Sequence, residues 1–232
     1  MLIKPRNSKG YYTIDSDLFI SVTTALQVVY KRQLDLWKQR NVAQTALDAT
    51  KGTSVNQVLT DANGIKNSAG SVGRRTHKII ELAKDVVDVS TQAEDIKPYL
   101  ESYNKFLKSM RFGVIAKEIT CYSKDYRYAG TADLIIRTFY GEVWLCDYKT
   151  SNYIHDINQL QLSAYKHAVE EMGIAKIDRL FIIHLTKTSE LELVEAVDDF
   201  ESFKAVLKLC KWEDKDNIKF KLKNENEYSK KE

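Results

Sequence analysis

Two aspartates and a lysine interrupt an otherwise apolar stretch, GTADLIIRTFYGEVWLCDYKT, at residues 130–150. Asp133 and Asp147 stand symmetrically about Tyr140, which is followed by Gly141, and Lys149 lies two residues past Asp147. A turn centred there folds the stretch into a hairpin with the two aspartates opposite one another. Directly opposed strand residues have Cβ atoms about 5 Å apart, and like charges so placed repel. Side chains alternate along a strand, so Asp147 and Lys149 share a face. Two carboxylates at that separation need a proton or a cation between them. Mg2+ takes oxygen ligands at about 2.0–2.1 Å and is commonly held by one or two carboxylates together with substrate phosphate. The Tyr148 backbone carbonyl, at the strand end, offers one more oxygen. Lys149 beside such an ion could hold the attacking water or offset charge in a phosphoryl-transfer transition state. The plain alternative is a solvated sheet end with Asp147 and Lys149 in surface ion pairs, because D-x-K by itself is a weak motif.

The segment that follows, INQLQLSAYKHAVEEMG, carries an apolar stripe at helical spacing through Ile157, Leu160, Ala164, Ala168 and Met172. Gln161 and Tyr165 are four residues apart and fall on that stripe. An inward Tyr is ordinary core. An inward Gln is costly unless it bonds something, either backbone or a site. His77, one turn before Ile80 and Glu81, is a comparable case on an amphipathic helix; a lone His there is more often a satisfied core or boundary residue than a ligand.

The elements that would carry these residues follow from periodicity. Residues 1–70 read as mostly helical after a short strand-like start, with TDANGIKNSAGS (60–71) as a loop or boundary. A helix over 71–87 could be capped by Ser71, and another over 96–110 takes Pro98 in its first turn. Strands are expected at 113–123, 127–138 and 142–150. A helix then opens with Asp156 and Gln159 at capping-box spacing and ends at Gly173. A buried strand (178–187), an edge-side strand (189–197) and a helix (about 198–211) complete a mixed α/β sheet covered on both faces. The expected division is a helical region at 1–70, a core at 71–212 and a charged tail at 213–232.

Composition excludes little. The 232 residues carry 35 Lys plus Arg against 32 Asp plus Glu, a formal charge of +3, so a nucleic-acid partner would need a local basic patch. Basic residues do cluster in KRQLDLWKQR (31–40) and GRRTHK (73–78). Cys121, Cys146 and Cys210 are odd in number and lack zinc or disulfide spacing. The N-terminus lacks a signal-peptide core, and no apolar run approaches the roughly 18 residues of a membrane span. The expectation is a soluble protein of a reducing compartment.

The pieces RRTHKIIE, GTADLI, LCDYKT and QLSAY, in that order over about 71–187, resemble the PD-(D/E)XK nuclease superfamily, most closely its RecB-like exonuclease branch. SVTTALQVVYKRQLDLWKQR also resembles the N-terminal helical segment of small phage-type and mitochondrial genome maintenance exonucleases. The resemblance implies a restriction-endonuclease-like core, a central mixed β-sheet flanked by helices, with a helical N-terminal region packed on or arching over it. It implies Asp133 and Asp147 as metal ligands, Lys149 as the catalytic lysine and His77 as the helix histidine that binds or orients the metal. Gln161 matches the glutamine that positions the lysine or a phosphate, Tyr165 its companion near the DNA backbone, and Glu118 an acidic position used less uniformly. Ala132 stands where the superfamily's proline would be, and the four-cysteine cluster of iron–sulfur relatives is absent, so no iron–sulfur cluster is expected.

The implied activity is a Mg2+- or Mn2+-dependent DNA exonuclease acting on single-stranded DNA or free ends, in recombination, repair or replication, with partner proteins from those processes. The implied setting is the cytoplasm of a prokaryotic or phage-infected cell. Arg74, Arg75, Lys78, Lys38, Arg40 and Lys187 are candidates for phosphate contacts, and Tyr153 or Trp37 for base stacking. A structure- or sequence-specific endonuclease on the same core, or a nucleic-acid-binding subunit without catalysis, are the alternatives.

Overall fold

Alternating residues in YYTIDSDLFIS form a strand pair at the N-terminus of the computed structural model, which describes residues 2–29 and 32–213. Strand β1 (Ile3–Lys4) pairs with β2 (Tyr11–Ile14), which pairs with β3 (Asp17–Ser21). Asp15 and Ser16, both at positive φ, make the two-residue turn that a tight hairpin requires. The stretch 1–70, expected to be mostly helical, thus contributes three strands to the main sheet.

Ser21 caps the one-turn helix α1 (Val22–Ala25), its Oγ accepting from the Thr24 amide at 3.0 Å. A 3-10 turn (Leu26–Val28) leads toward α2 (Arg32–Asp48), and α3 follows (Val55–Leu82). Helix α3 corrects the expected loop at 60–71, because it runs unbroken through Gly64 and Gly70 and across the expected boundary at residue 70. Each interior glycine costs a helix about 1 kcal/mol. Packing against α2 and burial of Val58 and Ala62 offset that cost. The N-cap is Ser54, accepting from Gln57, and Ser71 lies inside the helix.

Helix α4 (Lys97–Ser109), with Pro in its first turn, precedes three antiparallel strands: β4 (Phe112–Ser123), β5 (Tyr128–Thr138) and β6 (Val143–Lys149). Then come α5 (Ile157–Glu171), β7 (Arg179–Leu185), β8 (Leu191–Ala196) and α6 (Phe200–Glu213). Asp156 does cap α5, but its side chain makes no capping bond, and Gln159 instead accepts from the Val197 amide at 2.9 Å, so the expected capping box does not form. Gly173, at φ +68°, ends the helix as expected. Residues 214–232, nearly all of the expected charged tail, lie outside the described residues.

The sheet is mixed and forks at β5. Along one edge β5 pairs with β4 from end to end. Along the other it pairs with β3 at Tyr128 and Ala129, in parallel, and with β6 from Leu134 to Arg137. Between these lies the short stretch 130–133. Beyond β6 the order continues through β7, parallel to β6, to β8 at the edge. Helices α1, α5 and α6 cover one face around Ile135, Leu145, Leu162, Ile182 and Phe203. The last turns of α3 together with α4 cover the other around Ile80, Tyr103, Phe106, Leu134 and Ile183. Each face therefore has its own apolar core, and polar groups gather where the sheet forks. Among the described residues, no helix is long and apolar enough to cross a membrane.

Candidate metal centre

The β5–β6 register pairs Arg137 with Val143 and Leu134 with Cys146. One step further it sets Asp133 opposite Asp147. The ladder stops before that step. Asp133 Oδ2 instead accepts the Tyr148 amide at 2.9 Å, so the carboxylate terminates the pairing as a backbone carbonyl would have continued it.

Two further groups converge on Asp133. Helix α3 brings His77, whose Nδ1 lies 3.6 Å from Asp133 Oδ2. Strand β4 brings Glu118, held at φ +46° where the β4–β5 ladder skips a pair. A positive φ is strained for a side chain other than Gly, Asn or Asp and needs surroundings that enforce it. One ligand atom each from His77, Glu118 and Asp133 lies within 4.8 Å of the others.

Asp147, 2% exposed, lies beneath this cluster in a network with α5. Its Oδ1 accepts from Gln161 Nε2 at 3.0 Å, and its Oδ2 is 2.5 Å from Lys149 Nζ. That ion pair lacks the angles of a hydrogen bond, which leaves Oδ2 buried beside a charge but without an aligned donor. Lys149 donates to Gln161 Oε1 at 3.1 Å, and Gln161 Nε2 is also 3.1 Å from the Tyr165 hydroxyl. The costly inward Gln thus joins all three partners. Tyr165 is buried, and its ring presses on Gly130 so closely that a Cβ there would meet it at 2.2 Å. Tyr165, expected as the companion of Gln161 near the DNA backbone, is bonded to Gln161.

Burial and mutual repulsion make it costly to ionise the carboxyls gathered here. Burial, then Asp147, push the Asp133 carboxyl well above the usual range; Lys149 opposes this. Burial, then Glu81 and Asp147, raise Glu118, against Lys78. Burial lowers His77, against the pull of Asp147, so its neutral ring, with a lone pair to give, is favoured. The Tyr148 backbone pulls in the same direction as Asp147, more weakly. One imidazole nitrogen and two carboxylates form a donor set that a divalent cation could use. His77, Glu118 and Asp133 would hold such an ion, with Asp147 and the Tyr148 carbonyl beside them.

An open cleft of about 320 Å3 leads to the cluster, lined by Gly73, Arg74, His77, Lys78, Glu81 and Glu118. Gly73 and Glu81 are site residues that the sequence did not single out. Gly73 lies one helical turn before His77, where a Cβ would stand 3.0 Å from Thr150 Oγ1, so a glycine at that spacing was the available signal.

The proposed phosphate contacts are dispersed. Arg74 and Lys78 line the cleft, Lys78 also pairing with Glu81 at 2.8 Å. Arg75 turns from the cleft to pair with Asp95. Lys38 pairs with Asp35 along α2, where Arg40 is also exposed. Tyr153 is 71% exposed just past β6, and Lys187 is exposed past the end of β7. The side chain of Trp37 is outside the described residues. Cys121, Cys146 and Cys210 are buried, and none of them forms a disulfide among the described residues.

No protein-family model matches this chain, and no curated protein matches it. Among solved structures, the crystal structure of SSO0001 is similar at 15% identity and a TM-score of 0.30, over 47% of this chain and 54% of that one. The chain thus spans about half the length of that structure.

Proposed function

We propose that this chain is a divalent-metal-dependent deoxyribonuclease with a PD-(D/E)XK core of the RecB-like exonuclease kind, taking single-stranded DNA or DNA ends. The observation that carries this reading is one constellation. His77, Glu118 and Asp133 converge within 4.8 Å, beside a buried Asp147 locked to Lys149 and Gln161. A purely structural ion pair would not need a strained Glu118, a half-buried His77 and an unaligned carboxylate oxygen at one point.

A Mg2+ or Mn2+ ion bound there supplies Lewis acidity toward a phosphate and acidifies water. The protein's own groups do the rest. Asp133 and Glu118 provide negative charge, and His77 a neutral nitrogen. Asp147 fixes the Lys149 ammonium on one side and Gln161 fixes it on the other. Lys149, with its side chain 20% exposed, keeps N–H bonds beyond the one it gives Gln161, with which it can orient water or offset charge on a cleaved phosphodiester. Arg74 and Lys78, at the cleft wall, supply the positive charge that a phosphate backbone requires.

The test is end-labelled single- and double-stranded DNA, with closed circles alongside, with and without Mn2+. Cleavage of linear DNA only, dependent on Mn2+, supports the exonuclease. Cut circles support the endonuclease alternative, and binding without cleavage the inactive subunit.

A further inference from the structure

His184 interrupts the apolar run of β7, and the site described above does not use it. It is 6% exposed. In the parallel β6–β7 ladder it is the partner of Lys149, the last pair before β6 ends. Both nitrogens of its ring are engaged. Nε2 is 2.7 Å from the Ser151 carbonyl, and Nδ1 is 2.6 Å from Glu192 Oε2 on β8. A carbonyl can only accept, so Nε2 carries a proton and donates it.

The position gives this bond a purpose. At Lys149 the chain leaves the sheet, and the ladder holds it no further. Thr150 is flanked by Gly73 of α3, and Ser151 is tethered by the His184 ring. The Lys149 backbone is therefore fixed from both faces at the point where β6 releases it. Leu or Val would fill the slot without burying a polar ring, which is costly unless the ring is bonded.

We propose that His184 is a positioning residue for Lys149. By donating to the Ser151 carbonyl it holds the chain that leaves β6, and so keeps the lysine ammonium between Asp147 and Gln161. Glu192 orients the ring from the solvent side. The inference rests on the reading of Lys149 as part of a phosphodiester-cleaving site.

The first test needs no substitution. Long-range proton–nitrogen spectra of the native protein should show Nε2 of His184 protonated; a bare Nε2 would overturn the proposal. The second uses His184→Leu, His184→Gln and Glu192→Gln, read by amide exchange and by DNA cleavage with Mn2+. In His184→Leu, exchange of the amides at the end of β6, Asp147 to Lys149, should quicken about tenfold, the loss of one hydrogen bond, while the rest of the sheet keeps its protection. Its kcat should fall about 100-fold, the penalty for misplacing a reacting group, with KM unchanged. His184→Gln, which retains a donor, should recover part of both losses, and Glu192→Gln, which still bonds the ring, should stay near wild type. Unchanged exchange in a folded His184→Leu protein, or a loss carried by KM, would overturn the proposal. If His184→Leu does not fold, the ring spectrum and His184→Gln decide. If the native protein cuts no DNA, the nuclease reading fails, and the spectrum and the exchange still decide the tether.

Discussion

Replacing Asp133 by Asn should stabilise the metal-free protein and destabilise the metal-loaded one relative to wild type. In the metal-free state, the register sets Asp133 opposite Asp147, with Glu118 also near. Two charges about 5 Å apart at an effective dielectric constant of 20 repel by roughly 3 kcal/mol. Lys149, 2.5 Å from Asp147, offsets part of this, leaving about 1–2 kcal/mol. Asn retains an oxygen to accept the Tyr148 amide, so that hydrogen bond is kept. At a few degrees per kcal/mol for a domain of this size, Tm should rise by about 2–8 °C. The pH dependence has a definite sign. Burial and Asp147 hold the folded-state pKa of Asp133 above its unfolded value near 3.9. The cost is absent where both states are protonated, grows as pH rises from the unfolded value through the folded one, and is complete above it. The advantage of Asn should therefore shrink as pH falls toward about 4. Added Mn2+ should reverse the order. Wild type gains about 2.7 kcal/mol at a hundredfold excess over Kd, and the variant, lacking a ligand, gains less. Differential scanning calorimetry with chelator and with Mn2+ measures both arms. An unchanged or lower metal-free Tm for Asp133→Asn would refute the crowded-carboxylate geometry.

Other substitutions separate the supporting parts. Gln161→Ala removes the acceptor of Lys149 and the donor to Asp147 together, and should lower cleavage about 10–100-fold while circular dichroism stays native. Gly130→Val must displace the Tyr165 ring, and should cost about 1–3 kcal/mol in urea unfolding. Arg74→Ala and Lys78→Ala should each weaken DNA binding at all sequences alike and reduce the salt slope by about one unit in fluorescence-anisotropy titrations. Arg75→Ala, whose guanidinium turns from the cleft toward Asp95, should leave that slope unchanged.

The hairpin was legible in the sequence because its symmetry is arithmetic. Asp133 and Asp147 are equidistant from Tyr140, and Gly141, at φ +92°, takes the turn. Gln161 was legible as a polar residue on an apolar stripe, though not that it would bond both Lys149 and Asp147. Helix α3 was not legible across 60–71. Gly, Asn and Ser lower local helix propensity, and the packing of α2 that overrides it is a tertiary effect. Of strands β1–β3 only a strand-like start was legible, because they are short, although Asp15-Ser16 between two alternating runs was a turn signal. Glu118 showed nothing of its backbone strain, because Glu, unlike Gly, Asn or Asp, does not signal a positive φ. His184 was visible only as a polar letter within LFIIHL; its two partners lie 33 residues before it and 8 after.

The central claim is that Asp147, Lys149 and a divalent ion held nearby form one hydrolytic unit. One experiment tests it most directly: end-labelled linear DNA incubated with wild type, Asp147→Ala and Lys149→Ala, each with Mn2+ and with chelator, and each variant checked for a native melting transition. The account predicts cleavage by wild type only, only with Mn2+, and weaker Mn2+ binding by Asp147→Ala in calorimetry. Cleavage retained by either folded variant, or wild-type cleavage undiminished by chelator, would contradict it.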